Sequence, residues 1–386
     1  MAEKILHAFE AGRRGKPDEL DTGIANLISA YFLSINPLSR FDIRVSGSYK
    51  NNVPIVRVSG ELTASLLKQS TKKELSKIIL EHYNKINIST LPCIKTDFNF
   101  KPQAAPLAEN TLSGDSGCPL AVAYKNTPNH LPWERFLAVD IRDIIDAIYH
   151  NHGEVPYALS QKSGVSRIYG LRADGKIGVE ALYTGISLDS ICAITIAAEH
   201  EPILPVQELR EQLTKLIQTY LRLLQRKYSI AFNNPVISIN PLGDWNEGGG
   251  WKGDEGSREA KPYRDGFATY GVIEDSFSGE DPTKPSGTGS FLARHIAVRL
   301  VKQNLADFAR VVLVYTIGSK NVGLNITTNN TSKLSQQELE KYVREHFPLG
   351  IEEPIKLFGL RNPALYKKFA QISDFFQDST LPWNSL

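Results

Sequence analysis

Asn240-Pro241-Leu242-Gly243-Asp244-Trp245-Asn246-Glu247-Gly248-Gly249-Gly250-Trp251-Lys252-Gly253-Asp254-Glu255-Gly256 is the stretch on which the reading of the fold turns. Six of its residues are glycine, and glycine lets backbone N–H groups approach a phosphate closely. No Gly-Lys-Ser or Gly-Lys-Thr follows, so this is not a P-loop, and the Gly-x-Gly-x-x-Gly of a dinucleotide fold is only loosely approximated. From Asn240 to Gly289 the chain stays dense in glycine, proline and charge, with few periodic signals. So long an unperiodic stretch inside a compact protein is functional or disordered.

Outward from this stretch the periodicity is mixed. Asp18 to Phe32 reads as a helix, with Leu20, Ile24, Ile28 and Phe32 on one face. Pro54 to Val58 reads as a strand, and Thr71-Lys72-Lys73-Glu74 as a capping box opening a second helix. Lys101 to Ser113 reads as a loop, Ile191 to Ile196 as a buried strand, and Gln207 to Arg226 as the strongest amphipathic helix. Beyond Gly289 come a helix (291–305), an apolar strand (311–315) and a helix opened by Ser335-Gln336-Gln337-Glu338. The pattern implies an α+β fold of three similar units, each with helices on one sheet face. Their expected boundaries are 1–120 with 240–300 interleaved, 121–235, and 236–386.

Lys plus Arg is 44 and Asp plus Glu 42. That balance argues against a nucleic-acid surface. Three scattered cysteines, Cys93, Cys118 and Cys192, form neither a disulfide framework nor a zinc pattern. No signal-peptide core and no apolar run of roughly 20 residues is present. The expectation is a cytoplasmic enzyme without a membrane partner.

Two isolated motifs carry little. Gly114-Asp115-Ser116-Gly117 suggests a serine nucleophile, but a triad needs a base and an orienting acid beside it, and the helices contradict the double barrel it implies. His150 and His152, at the end of a polar helix, lack a third metal ligand at matching spacing.

The order of the fragments says more than any one of them. Gly15-Lys16-Pro17-Asp18, Ser59-Gly60-Glu61-Leu62-Thr63, Gly114-Asp115-Ser116-Gly117, Leu171-Arg172-Ala173-Asp174-Gly175-Lys176, the opening stretch, Phe277-Ser278-Gly279-Glu280-Asp281-Pro282-Thr283-Lys284 and Leu381-Pro382-Trp383 succeed one another along nearly the whole chain. In that order they resemble the motifs of the S-adenosylmethionine synthetases. The resemblance implies that family's pseudo-threefold fold and its reaction, in which methionine sulfur attacks C5′ of ATP. It also implies Mg2+ and K+ as cofactors, ATP and L-methionine as ligands, a homodimer or homotetramer, and a place in one-carbon metabolism.

Carried over residue by residue, the resemblance makes Lys16, Asp18 and Lys284 catalytic, with Asp18 also the magnesium ligand. Glu61 and Asp254 would hold the methionine ammonium, Asp115 would line the substrate pocket, and Gln103 would precede a mobile lid. Asp174, Lys176, Lys261 and Asp281 would meet the nucleotide, and Trp245 would stack on adenine. This chain also departs from the pattern. Lys16 replaces a histidine, Glu280 a lysine, Ser286 an aspartate and Ala260 an arginine, with Arg258, Lys261 and Arg264 nearby to supply charge. Lys16 and Glu280 form a candidate compensating pair. A paralogue using another nucleophile or nucleotide, or a regulatory pseudoenzyme, fits those changes as the alternative.

Overall fold

The computed structural model describes residues 3–51, 53–257, 266–271, 276–372 and 374–385. Lys261, Arg258, Ala260 and Arg264 lie outside them. The fold is α+β. Among the described residues, ten strands form three sheets: β1 (Lys4–Gly12), β2 (Phe41–Lys50), β3 (Val53–Leu62), β4 (Lys95–Pro102), β5 (Leu120–Tyr124), β6 (Leu171–Thr184), β7 (Ser187–His200), β8 (Val236–Ile239), β9 (Phe308–Val314) and β10 (Gly323–Thr327). The long helices are α1 (Pro17–Ile35), α2 (Lys72–Asn87), α3 (Trp133–His150), α4 (Val206–Tyr228), α5 (Pro285–Lys302) and α6 (Gln336–His346).

The chain divides into two compact units, each assembled from separated segments. Unit 1 comprises Met1–Leu20, Tyr83–Leu91 and Pro132–Glu255; unit 2 comprises Asp21–His82, Pro92–Leu131 and Gly256–Leu386.

Unit 1 is built on the sheet β1-β6-β7-β8. β1 and β7 run antiparallel to β6, and β8 lies parallel to β7. Strict alternation makes one face apolar: Ile177, Val179, Ala181 and Tyr183 of β6 and Ile194 and Ile196 of β7 are buried. α3 packs against β1 and β6. The opposite face stays open, with Leu6 55% and Val236 70% exposed. α4 provides the crossover between parallel strands, and its stripe Leu209, Leu213, Leu216, Ile217, Tyr220 and Leu224 is buried as its period predicts.

α3 departs from the reading of a polar helix. Its charged residues Glu134, Arg135, Arg142 and Asp146 are buried along with Trp133, Phe136, Ile141 and Ile145. Pairing pays for their charge: Arg13 Nε donates to Asp146 Oδ1 at 2.8 Å, and Tyr183 donates to Glu134 Oε2 at 2.8 Å.

Unit 2 holds the sheets β2-β3-β4 and β10-β9-β5. β2 and β3 form a hairpin, and β4 returns parallel to β3. Ile24, Ile28 and Phe32 of α1 are fully buried, and the Phe32 ring meets Phe41 at 5.4 Å. α5 covers β5 and β9. It begins at Pro285, six residues before the periodic start, because Ser286, Gly287, Thr288 and Gly289 carry no apolar signal. Close packing demands a small residue there: a Cβ on Gly289 would stand 2.5 Å from the Pro119 ring and 2.8 Å from the Tyr315 ring. Trp383 stacks flat on Phe291 at 3.9 Å and is fully buried. The segment expected as a loop at 101–113 begins with the last two residues of β4, Lys101 and Pro102, and contains a short helix, Ala105–Glu109. The Ser335 cap is a complete capping box.

Candidate active site

In unit 1 the chain leaves β1 and stays zipped to β6: Arg13 N donates to Gly175 O at 2.8 Å and Gly15 N to Ala173 O at 3.1 Å. A Cβ on Gly15 would stand 2.3 Å from Ala173, so only glycine fits. Pro17 then opens α1, where Asp18 and Glu19 face the positive helix end. The Lys16 ammonium lies 3.2 Å from Asp18 Oδ2. Burial alone would lower its pKa, but Asp18, Asp174 and Asp254 together carry it above the ordinary lysine value. Lys16 is therefore a permanent cation at neutral pH.

Asp174, at the bulge of β6, pins the glycine-rich stretch. Its Oδ1 accepts from Gly175 N at 2.6 Å and its Oδ2 from Gly250 N at 2.7 Å. Burial outweighs both bonds and pushes its pKa up to about 6. A second clamp comes from two residues earlier on β6 and from β7. Arg172 donates to Glu199 Oε1 at 3.3 Å and to Asn246 O at 2.7 Å, and Glu199 lies so close that a Cβ on Gly249 would meet its carboxylate at 2.1 Å. Trp251 is buried and stacks on Tyr83 at 5.0 Å. Beside this turn lies a cavity of about 830 Å³.

In unit 2 the loop 277–284 is sewn to the start of β2. Ile43 N donates to Gly279 O at 2.8 Å, Asp281 N to Phe41 O at 2.9 Å, and Phe41 N to Asp281 Oδ2 at 3.1 Å. Lys284 Nζ reaches Asp115 Oδ2 at 2.7 Å and Asp42 Oδ2 at 3.4 Å. Burial opposes its charge, but the Asp115 hydrogen bond and Asp42 push its pKa up to about 12. The Ser286 hydroxyl donates to Glu280. Buried Arg40 donates to Thr283 and to the Asn110 carbonyl.

Within unit 1, then, Asp18, Asp174 and Asp254 all act on Lys16, from two of the unit's separate segments. Lys176 instead stands on the open sheet face, paired with Glu10 at 3.0 Å. Trp245 is half-buried, its backbone N–H donating to His200 Nε2, and it does not line the cavity, whose wall in this stretch begins at Asn246. Within unit 2, Asp115 and Lys284 meet. Glu61 stands in register with Asp42 on the adjacent strand, exposed, and Gln103 keeps a buried Oε1 without a partner. Asp281 spends its oxygens on Thr283 in its own loop and on Phe41 at the start of β2, and its pKa is raised by burial. Each of the two residues expected as a compensating pair has a partner within its own unit: Lys16 pairs with Asp18, and Glu280 accepts from the Ser286 hydroxyl. Ser116 accepts from Ile317 N, a turn contact that gives it no activating base. Among the described residues no group of three His, Cys, Asp or Glu is placed to hold a metal ion.

Arg13, Arg172, Glu199, Arg40 and Asp42 were not singled out from sequence. Arg172 alone had a signal, standing two residues before Asp174.

A family sequence model for the C-terminal domain of S-adenosylmethionine synthetase matches residues 248–385. The chain is 32% identical to an S-adenosylmethionine synthase of Helicobacter pylori (strain J99 / ATCC 700824) over 374 residues, covering 92% of this chain and 90% of the other. It is 30% identical to that of Clostridium tetani (strain Massachusetts / E88), over 99% of this chain and 97% of the other. With that of Aquifex aeolicus (strain VF5) the identity is 26%, over 99% and 96%. Motif order, α+β architecture and near-full-length similarity agree: the chain belongs to the S-adenosylmethionine synthase family.

Proposed function

We propose that this protein transfers the adenosyl group of ATP to the sulfur of L-methionine. The sulfur lone pair forms the new bond to C5′, the C5′–O bond breaks, and triphosphate leaves, to be hydrolysed to phosphate and diphosphate. The observation that carries this reading is the Lys16 ammonium held among Asp18, Asp174 and Asp254 beside a pinned glycine turn. A leaving group with about four negative charges needs fixed cations and backbone N–H groups. Lys16 supplies a cation that does not titrate near neutrality. Lys284 supplies another, which an anion must win from Asp115 and Asp42. Glu61, Asp115 and Asp254 offer carboxylates for an amino-acid ammonium and favour a sulfonium product electrostatically. In this reading Trp245 offers an adenine-stacking face.

Magnesium fits this site as a passenger of the polyphosphate. Such ions keep most of their water and take one or two protein carboxylates, and Asp18, beside Lys16, offers one. When bound, the ion adds positive charge to the leaving group. No residue set is assigned to K+. The open face of unit 1's sheet is proposed to pack against a second copy, giving a homodimer. Light scattering that finds only monomer refutes that part.

The test is direct. Purified protein with ATP, Mg2+, K+ and L-methionine should yield S-adenosylmethionine with phosphate and diphosphate, read by mass spectrometry and 31P NMR. A second reading rests on Glu280, a carboxylate where the resemblance expects a lysine: a paralogue with another nucleophile or nucleotide. Absence of product with methionine, but adenosyl transfer within a panel of other thioethers and nucleotides, would establish it instead.

A further inference from the structure

None of Lys16, Asp18, Asp174 and Asp254 lines the cavity of unit 1. Its volume, about 830 Å³, is in the range of small-molecule pockets. Its wall includes the Gly248–Gly250 turn, the turn that Asp174 pins. The other walls are Tyr83 with Asn87, Tyr149, the segment 168–173, and Glu199 to Pro202.

Its charge favours a cation over a polyphosphate. Three carboxylates, Glu199, Glu201 and Glu247, stand against the fixed cations Arg172 and Lys252. Arg172 is already committed to Glu199 and to the Asn246 carbonyl. The Asn246 side-chain oxygen is buried without a donor. Tyrosine rings bring π-faces, and Tyr169, 56% exposed, already carries one cation: the Arg167 guanidinium lies 5.5 Å from its centroid. Carboxylates, an orphan acceptor and aromatic faces together select an organic cation.

We infer that this cavity is a second ligand site, taking an ammonium or sulfonium group on a carbon body. Because the glycine turn forms one wall, an occupant bears on the backbone that Asp174 holds, which makes the cavity an effector pocket for the candidate active site. The inference does not need the protein to turn over.

The full-length protein, saturated with a non-hydrolysable ATP analogue, is titrated calorimetrically with 1,4-diaminobutane and, separately, with S-adenosylmethionine. Saturable binding is expected, weakened at least about fivefold in E201Q/E247Q and roughly two- to tenfold in the surface change Tyr169→Ala. The control Lys215→Gln, on the outer face of α4, should leave affinity unchanged. Binding of the sulfonium alone supports the inference and makes the ligand the reaction's product; binding of the diamine supports a general amine site. The inference is overturned by no saturable binding of either cation to the analogue-saturated protein, or by unchanged affinity in both cavity variants.

Discussion

Asp174→Asn isolates the pin on the glycine turn. In the folded protein the carboxyl titrates near pH 6, raised from an ordinary value of 3.8 by burial. Below about pH 4 folded and unfolded chains both hold the proton. Between that value and about 6 only the folded chain does, so it binds more protons and unfolding free energy falls as pH rises. The shift of roughly two units corresponds to about 3 kcal/mol, fully lost above about pH 7. The residue is 7% exposed, so solvent screening removes little of this. Asparagine cannot titrate. It keeps one acceptor for the two N–H donors of Gly175 and Gly250, which costs about 1–3 kcal/mol at every pH. The stability difference between wild type and variant should therefore be largest near pH 4 and shrink by about 3 kcal/mol by pH 8. Urea denaturation of both proteins across this range measures it, because other titrating groups cancel in the difference. A difference that stays flat, or that grows with pH, refutes burial as the dominant influence on Asp174.

Arg13→Met leaves Asp146 buried without its cation and should cost about 3–5 kcal/mol by chemical denaturation. Gly60→Ala puts a Cβ 2.0 Å from the Asp42 carbonyl, at a φ of +151°, and should lower stability by more than about 2 kcal/mol, seen as a lower melting temperature. Lys16→His trades a permanent cation for a group titrating near 6.5, so the turnover of the variant should acquire a pH dependence around neutrality that the wild type lacks. A pH–rate profile decides this, and identical profiles contradict it.

Much of the fold was legible because apolar spacing is a direct record of burial. Leu20, Ile24, Ile28 and Phe32 of α1, and the stripe of α4, announced themselves by period and are buried. α3 did not, because its charges are neutralised by partners far away in sequence, such as Arg13 for Asp146. The start of α5 was silent because close packing there demands small residues. The site divides in the same way. Lys16, Asp18, Asp174, Asp254, Asp115 and Lys284 sit in short recognisable runs. Glu199, Arg40 and Asp42 act singly, through neighbours that only the folded chain supplies.

The pairing of β1 with β6 sets a timetable for the nascent chain. Lys4–Gly12 emerges from the ribosome long before its partner strand, which ends at Thr184. At synthesis rates of roughly 5–20 residues per second it waits on the order of ten seconds or more with its edges unpaired. Neither can unit 1 close before Glu255 appears. A slowed ribosome would lengthen that exposure, and Ile5 and Leu6 would be early points of capture by a chaperone or of misassociation between neighbouring chains.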